Sequence, residues 1–148
     1  MNEEVSGAHT RWWIRYHYVW GTKYRYQIIT EPVANHLLKT TLGICERYEF
    51  TFDSMGTDGD HVHLIAGLPP KQGPELIIRT VKSITAREIF NKFPSIKKLP
   101  WGGSIWATGY YVGTVGKEKP YNVMRNYVLN QGTRPEKDKI EQLRLIRN

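Results

Sequence analysis

The order of two kinds of sequence pattern constrains the fold of this chain more than any other feature. Stretches rich in aromatic and β-branched residues favour a pleated, half-buried strand, whereas apolar residues at three- and four-residue spacing favour an amphipathic helix. The two patterns follow one another as strand, helix, strand, strand, helix and strand. They occupy residues 11–20, 31–48, 49–55, 61–68, 74–93 and 105–115, in that order.

This order predicts an α+β fold, a ferredoxin-like βαββαβ antiparallel sheet with both helices on one face. A turn is expected at 56–60 (GTDGD) and a loop at 94–103. Helical spacing at 121–130 predicts an additional C-terminal helix, followed by a charged tail at 132–148. We expect one domain over residues 1–148, with its core at about 11–131. The sheet face without helices is then available for a ligand.

The chain carries a surplus of positive charge. Its 21 Lys and Arg residues against 14 Asp and Glu residues give a net charge of +7, which favours a polyanionic partner such as nucleic acid. A membrane partner is not expected, because the apolar runs fall far short of the roughly 20 residues needed to span a bilayer. No signal-peptide pattern opens the chain, and the single cysteine, Cys45, is expected to be a small buried hydrophobe. We therefore expect a cytoplasmic protein.

Basic residues are interleaved with aromatic residues near the N-terminus and again around position 100. Bases can stack on aromatic rings while cations contact phosphates, as in proteins that bind single strands. The alternative is that the inward half of the aromatic residues is ordinary core. The residues expected to contact DNA, hereafter the DNA-contact set, are Arg11, Arg15, Lys23, Arg25, Arg79, Lys82, Arg87, Lys97, Lys98 and Trp106.

Two histidines, His61 and His63, stand at the start of a predicted strand. Because side chains alternate along a strand, both imidazoles share one face while Val62 points into the core. This spacing suits shared metal ligation, and the alternative is a pair of strand histidines without a ligand. Asp60, directly before them, could hydrogen-bond one imidazole and orient it without binding the metal itself. Alternatively, it could simply complete the turn.

Tyr127 and Gln131 are four residues apart in the predicted C-terminal helix and therefore lie on one helix face. A core tyrosine and a solvated glutamine are the simpler interpretation. Two imidazoles and a glutamine carbonyl, however, would provide three ligands to a divalent ion and leave positions for phosphate oxygens. Tyr127 would then be the nucleophile. The mixed nitrogen and oxygen ligands suit Mn²⁺ at least as well as Mg²⁺.

Three sequence blocks occur in a characteristic order: DHVHL at 60–64, WGGSIWATGYYVGTVG at 101–116 and NYVLNQ at 126–131. On these blocks the chain resembles the one-tyrosine HUH transposases, the small TnpA-type enzymes of insertion sequences that move as single-stranded DNA. The resemblance extends from about residue 11 to residue 131. It implies that His61 and His63 are the HUH metal ligands, Gln131 the third ligand and Tyr127 the nucleophile.

The resemblance also implies a substrate and an assembly. Members of the family bind DNA hairpins near the ends of the element, cut one strand and form a 5′-phosphotyrosine with a free 3′-hydroxyl, without a nucleotide cofactor. They work as homodimers in which the tyrosine helix of one subunit often completes the histidine site of the other. The segment GTDGD departs from the family, where a shorter turn with proline before the aspartate is expected, and this departure concerns Asp60.

Three other functions are compatible with the same residues. A domesticated relative would use identical site chemistry on repeated hairpins. A non-catalytic single-strand nucleic-acid-binding module would keep the sheet and the basic aromatic surface but would use Tyr127 only for packing. A metal phosphodiesterase would use water as the attacking group and would turn over without Tyr127.

Overall fold

The computed structural model of the protein describes residues 3–101, 103–117 and 129. A short 3₁₀ turn at Lys23–Arg25 links the first strand of the main sheet to the first long helix. In chain order the strands and helices are β1 (Val5–Ser6), β2 (Arg11–Trp12), β3 (Tyr16–Gly21), α1 (Glu31–Tyr48), β4 (Thr51–Asp58), β5 (His61–Gly67), α2 (Glu75–Lys92), α3 (Pro94–Lys97) and β6 (Tyr111–Thr114).

The main sheet has four strands in the order β4-β5-β3-β6, and every neighbouring pair is antiparallel. α1 connects β3 to β4, and α2 lies in the connection from β5 to β6, so each long helix crosses over a neighbouring strand. This is the order of a ferredoxin-like βαββαβ fold, and the sequence-based prediction of that fold is confirmed. The predicted C-terminal helix and charged tail lie outside the described residues, apart from Leu129.

Both long helices bury one face against the same side of the sheet. The apolar residues recur at three- and four-residue spacing, which brings them onto one side of each helix. Cys45 is among them, and burial raises the pKa of its thiol to about 11, as expected for an inert core cysteine. No helix in the described part is long and apolar enough to cross a membrane. The core includes Tyr18, Trp20, Val33, Leu37, Ile44, Cys45, Val62, Leu64, Ala66, Ile77, Ile78, Val81 and Ile89.

The prediction of one continuous strand at 11–20 is wrong. Arg11–Trp12 pairs with Val5–Ser6 in a separate two-stranded sheet, and only Tyr16–Gly21 joins the main sheet. Between the two strands the guanidinium of Arg15 turns inward and lies 3.5 Å from the carboxylate of Asp53, beside the irregular register of β4. A local aromatic pattern carries no information about such a contact between distant residues.

Two further boundaries differ from the sequence-based expectation. β4 continues to Asp58, so the predicted turn shrinks to Gly59 and Asp60, and the backbone N–H of Gly59 donates to Asp58 Oδ1 at 3.0 Å. The predicted last strand at 105–115 contributes only Tyr111–Thr114 to the sheet. Gly109 breaks it with a φ of +90°, a backbone conformation that glycine adopts readily.

Candidate functional site

The two HxH histidines lie on the sheet face opposite the helices. Val62, between them, belongs to the core under the helices, so the alternation predicted from the sequence holds. The ring centroids of His61 and His63 are 5.2 Å apart. On the adjacent strand, Gly21 pairs with His61 and Val19 pairs with His63. The imidazoles are 1% and 0% exposed, so both are buried although the two long helices lie on the other face.

Asp60 hydrogen-bonds the first of these histidines. Its Oδ1 lies 2.9 Å from Nδ1 of His61, and its Oδ2 accepts from Nε of Arg25 at 2.8 Å. Burial raises the pKa of Asp60, but the hydrogen bonds and charges of His61 and Arg25 outweigh burial and lower it to about 2. Asp60 is therefore ionised at neutral pH and accepts a hydrogen bond from the Nδ1–H of His61. The lone pair of that imidazole then lies on Nε2, the atom that a metal would take.

His17 makes the corresponding contact with the second histidine. Its Nε2 lies 3.0 Å from Nδ1 of His63, and the two rings stack with centroids 5.2 Å apart and an interplanar angle of 18°. Burial lowers the pKa of His17 to about 4, so the ring is neutral at neutral pH. Sequence analysis missed His17 because it lies in a strand of aromatic residues, and only the pairing of β3 with β5 brings it to His63.

The donor atoms fit part of a divalent-metal site. His61 and His63 share a face, and each has Nδ1 engaged by a partner, which leaves Nε2 as the ligating nitrogen in both. Within residues 3–101 and 103–117, no group of three or more His, Cys, Asp or Glu side chains is arranged to hold a metal ion. The expected third ligand, Gln131, and the expected nucleophile, Tyr127, lie outside the described residues.

The turn that presents Arg25 to Asp60 has an unusual backbone. Tyr24 and Arg25 have φ values of +60° and +56°, so two successive non-glycine residues adopt the left-handed conformation. Such residues each cost about 1–3 kcal/mol and are concentrated at functional sites. Thr22 holds the turn, because its hydroxyl donates to the carbonyl oxygen of Tyr26 at 2.8 Å. Tyr24 is 62% exposed, and it directly precedes Arg25, whose guanidinium contacts Asp60.

A cavity of about 310 Å³ lies between the end of β3 and the loop that precedes β6. Two of its lining residues, Val19 and Gly21, are the cross-strand partners of His63 and His61. Opposite them the wall is formed by residues 107–111. The cavity is thus one strand away from the imidazoles.

Three members of the DNA-contact set are not presented to solvent as expected. Arg15 is buried against Asp53, and its expected role at the surface is corrected to one inside the protein. Trp106 is also buried, and its Nε1 donates to Thr85 Oγ1 at 3.1 Å. Lys82 is half-buried, and its Nζ donates to the carbonyl oxygens of Ala107 and Gly109, which holds α2 to the loop before β6.

The other basic members of the set remain on the surface. Arg11 is paired with Glu4, and Arg79 with Glu75, in exposed ion pairs of the kind that contribute little to stability. Lys23 is partly exposed and its Nζ lies 5.4 Å from the centre of the Tyr24 ring. The exposed members are Arg11, Arg25, Arg79, Arg87, Lys97 and Lys98.

Relatives of known description align with most of the length of this chain. The profile of the family described as Transposase IS200 like matches residues 10–131. The ISDra2 transposase TnpA of Deinococcus radiodurans is 29% identical over 118 residues, which cover 80% of this chain and 84% of that protein. The transposase for insertion sequence element IS200 of Salmonella typhimurium is 30% identical over 117 residues, which cover 79% of this chain and 77% of that protein.

Solved structures share the fold. A crystal structure of a candidate transposase from Deinococcus radiodurans R1 has a TM-score of 0.71 and 30% sequence identity, and the match covers 86% of this chain and 97% of that one. A REP-associated tyrosine transposase bound to a REP hairpin has a TM-score of 0.55 and 16% identity over 83% of this chain and 70% of that one, which shows the fold alone. Because the family profile spans residues 10–131 and relatives at 30% identity cover most of the chain, this protein belongs to the IS200-like transposase family.

Proposed function

We propose that this transposase binds hairpin single-stranded DNA at the ends of an insertion sequence, and that it cleaves and rejoins one strand through a 5′-phosphotyrosine. The observation that carries the proposal is the orientation of the HxH pair. His61 and His63 are each held through Nδ1 by a partner side chain, in a chain of a transposase family. Imidazoles held in this way are typical of metal ligands.

His61, His63 and Gln131 are the proposed ligands of a Mn²⁺ or Mg²⁺ ion. When bound, such an ion supplies positive charge that stabilises the phosphate oxygens and the leaving 3′ oxygen. The carboxylate of Asp60 keeps the His61 proton on Nδ1 and strengthens its Nε2 as a donor. Since both imidazoles are buried, we expect the scissile phosphate to reach them only after the groups that cover them move.

Tyr127 is the proposed nucleophile. Its phenol oxygen loses a proton and forms a bond to the scissile phosphorus, while the bond from that phosphorus to the 3′ oxygen breaks. The 3′ oxygen takes up a proton and leaves as a 3′-hydroxyl, and the 5′ phosphate stays on the tyrosine. A 3′-hydroxyl can later reverse the attack, so that rejoining needs no nucleotide cofactor. A phenol with an ordinary pKa near 10 needs positive charge nearby to act at neutral pH.

The exposed cations are the proposed contacts to the DNA backbone. Arg25 adjoins the histidine site, because its Nε contacts Asp60, the hydrogen-bond partner of His61. Tyr24, the preceding residue, is exposed, and its ring offers a stacking surface for an unpaired base. A structural neighbour is bound to a REP hairpin, and we propose a hairpin as the ligand of this chain as well. We further propose a homodimer in which the tyrosine helix of one subunit completes the histidine site of the other.

A covalent-adduct assay tests this function. The protein is incubated with Mn²⁺ or Mg²⁺ and end-labelled single strands from the flanks of its own gene, and the products are separated under denaturing conditions. We expect an adduct with the wild type that disappears in Tyr127→Phe. The matched control is Tyr48→Phe at the exposed end of α1, which should keep the adduct.

The other outcomes point to specific alternatives. Cleavage without an adduct would replace the proposal with attack by water, and binding without cleavage would indicate a binding module. An adduct that forms only on repeated hairpins from elsewhere in the genome would identify a domesticated relative.

A further inference from the structure

We propose that His17 is a positioning residue that fixes the tautomer and ring orientation of His63. The inference rests on the proposed function, in which His63 is a metal ligand. Its basis is the 3.0 Å contact between Nε2 of His17 and Nδ1 of His63, with the rings nearly parallel at 18°. Such a distance between two ring nitrogens is that of a hydrogen bond.

The chemistry of a hydrogen bond between two imidazoles determines where the protons lie. One of the two facing nitrogens must carry hydrogen and the other must accept it. If His63 ligates a metal through Nε2, its proton is on Nδ1 and points at Nε2 of His17. His17 then carries its own proton on Nδ1. With the hydrogen bond in this direction, the lone pair of His63 lies on Nε2, where a metal would bind.

The two HxH histidines consequently have different partners in the same position. In the proposed arrangement His61 donates to the carboxylate of Asp60, whereas His63 donates to the ring of His17. A hydrogen bond to a charged acceptor is roughly twice as strong as one between neutral groups. His61 should thus be the more basic donor of the pair, and His63 should depend more on the stacked ring for its orientation.

Three neighbours hold His17 in place. Its side chain is 1% exposed in β3, with Ile65 of β5 and Gly113 of β6 as the paired residues on either side. The ring of Tyr111 packs edge-on against it, with centroids 5.9 Å apart. A Cβ at Gly113 would lie 2.5 Å from the Tyr111 hydroxyl, so the glycine leaves room for this ring.

The same geometry argues against His17 as the third metal ligand. Nε2 of His17 is directed at Nδ1 of His63. A metal on Nε2 of His63 would lie on the opposite side of the His63 ring. Among residues 3–101 and 103–117, no group of three potential ligand side chains has an arrangement suited to a metal. His17 therefore acts through His63.

The first test needs no substitution and no metal. Long-range proton–nitrogen NMR correlations of the ¹⁵N-histidine-labelled wild type report which ring nitrogen of each histidine carries hydrogen. We expect His63 with its proton on Nδ1 and a hydrogen bond to His17. A spectrum with the His63 proton on Nε2, or with both tautomers equally populated, would overturn the proposal.

The second test measures Mn²⁺ affinity by electron paramagnetic resonance in the absence of DNA. His17→Phe keeps a flat ring but removes the acceptor, and we expect a loss of about 10–100-fold, the usual effect of removing a partner behind a metal ligand. His17→Gln retains an acceptor oxygen and should recover most of the affinity. His36→Phe, on α1 against Phe93, is the matched control and should bind as the wild type does.

The outcomes separate this proposal from the proposed function. Wild-type protein that binds no Mn²⁺ but shows the expected His63 tautomer would contradict the metal-dependent function and leave the role of His17 intact. A folded His17→Phe protein with wild-type Mn²⁺ affinity would overturn the role of His17 and leave the function intact. Thermal unfolding of each variant establishes that it is folded. If His17→Phe does not fold, the NMR spectrum of the wild type alone tests the role of His17.

Discussion

The carboxylate of Asp60 lies 2.9 Å from Nδ1 of His61, although the two residues are neighbours in the chain. The contact arises where the short turn ends and β5 begins, so that two consecutive side chains come together at the start of this strand. Arg25 binds the other oxygen of the same carboxylate at 2.8 Å. Two hydrogen bonds therefore connect the surface cation Arg25, through the carboxylate of Asp60, to the proposed metal ligand His61.

Replacing Asp60 by Asn should weaken metal binding with little change in shape. The amide removes the negative charge that holds the His61 proton on Nδ1, and we expect Mn²⁺ affinity to fall about 10–100-fold. Hairpin DNA affinity, measured without metal, should change much less. Glu46→Gln on the exposed face of α1 is the control. Equal Mn²⁺ affinity in Asp60→Asn and in the wild type would argue that this carboxylate only completes the turn.

Replacing His61 or His63 by Ala should abolish cleavage while hairpin binding is largely retained. Phosphate and stacking contacts are expected on exposed residues, whereas both imidazoles are buried on the sheet face. Cleavage and gel-shift assays on the same protein preparations separate the two properties. His9→Ala, at an exposed position near the N-terminus, should behave as the wild type. A parallel loss of binding in the two site variants would contradict this separation.

Replacing Arg15 by Leu should destabilise the protein rather than weaken DNA binding specifically. The substitution leaves the buried carboxylate of Asp53 without its cation, which costs about 3–5 kcal/mol in comparable ion pairs. Urea denaturation measures the loss. Arg11→Leu is the matched control, because Arg11 is exposed and should lower DNA affinity with little effect on stability. The opposite pattern would restore Arg15 to the DNA-contact set.

The thiol of Cys45 should be unreactive in the folded protein, and its contribution to the free energy of unfolding should be lost at alkaline pH. Burial raises its thiol pKa from 9.0 to about 11, so the folded chain keeps the proton that the unfolded chain releases. The contribution of this thiol to the free energy of unfolding is therefore fully present below pH 9. It falls as the pH rises towards 11, by no more than about 2–3 kcal/mol. Urea denaturation of wild type and Cys45→Ala should show a difference that shrinks over this interval. Rapid labelling of the folded thiol would contradict its burial.

The affinity for hairpin DNA should fall steeply with salt, because neutralised phosphates release counterions. A Lys97→Gln, Lys98→Gln double variant should flatten the plot of log affinity against log salt by about 0.7–0.9 per lost phosphate contact. Both lysines are exposed around the end of α3. Lys39→Gln on α1 lies outside the DNA-contact set and should leave the slope unchanged. An identical slope in the double variant would exclude this region from the interface.

The sequence by itself was sufficient to predict the fold and the shared face of the HxH pair. Helical periodicity places α1 at Glu31–Tyr48, and the alternation of β5 separates His61 and His63 from Val62. Both are local properties, since a period of 3.6 or 2 residues assigns each side chain to a face without reference to the rest of the chain. The order of the elements then leaves few topologies for one antiparallel sheet.

Only the tertiary structure decided which side chains meet across the sheet and which cations are buried. The aromatic pattern of the first strand does not distinguish His17 from its neighbours, because its contact with His63 depends on the register between β3 and β5. Arg15 and Trp106 have the composition of a DNA-binding surface but pack inside, against Asp53 and Thr85. The physical reason is that burial and cross-strand contacts join residues that are distant in sequence, whereas residue type and spacing report only on local structure.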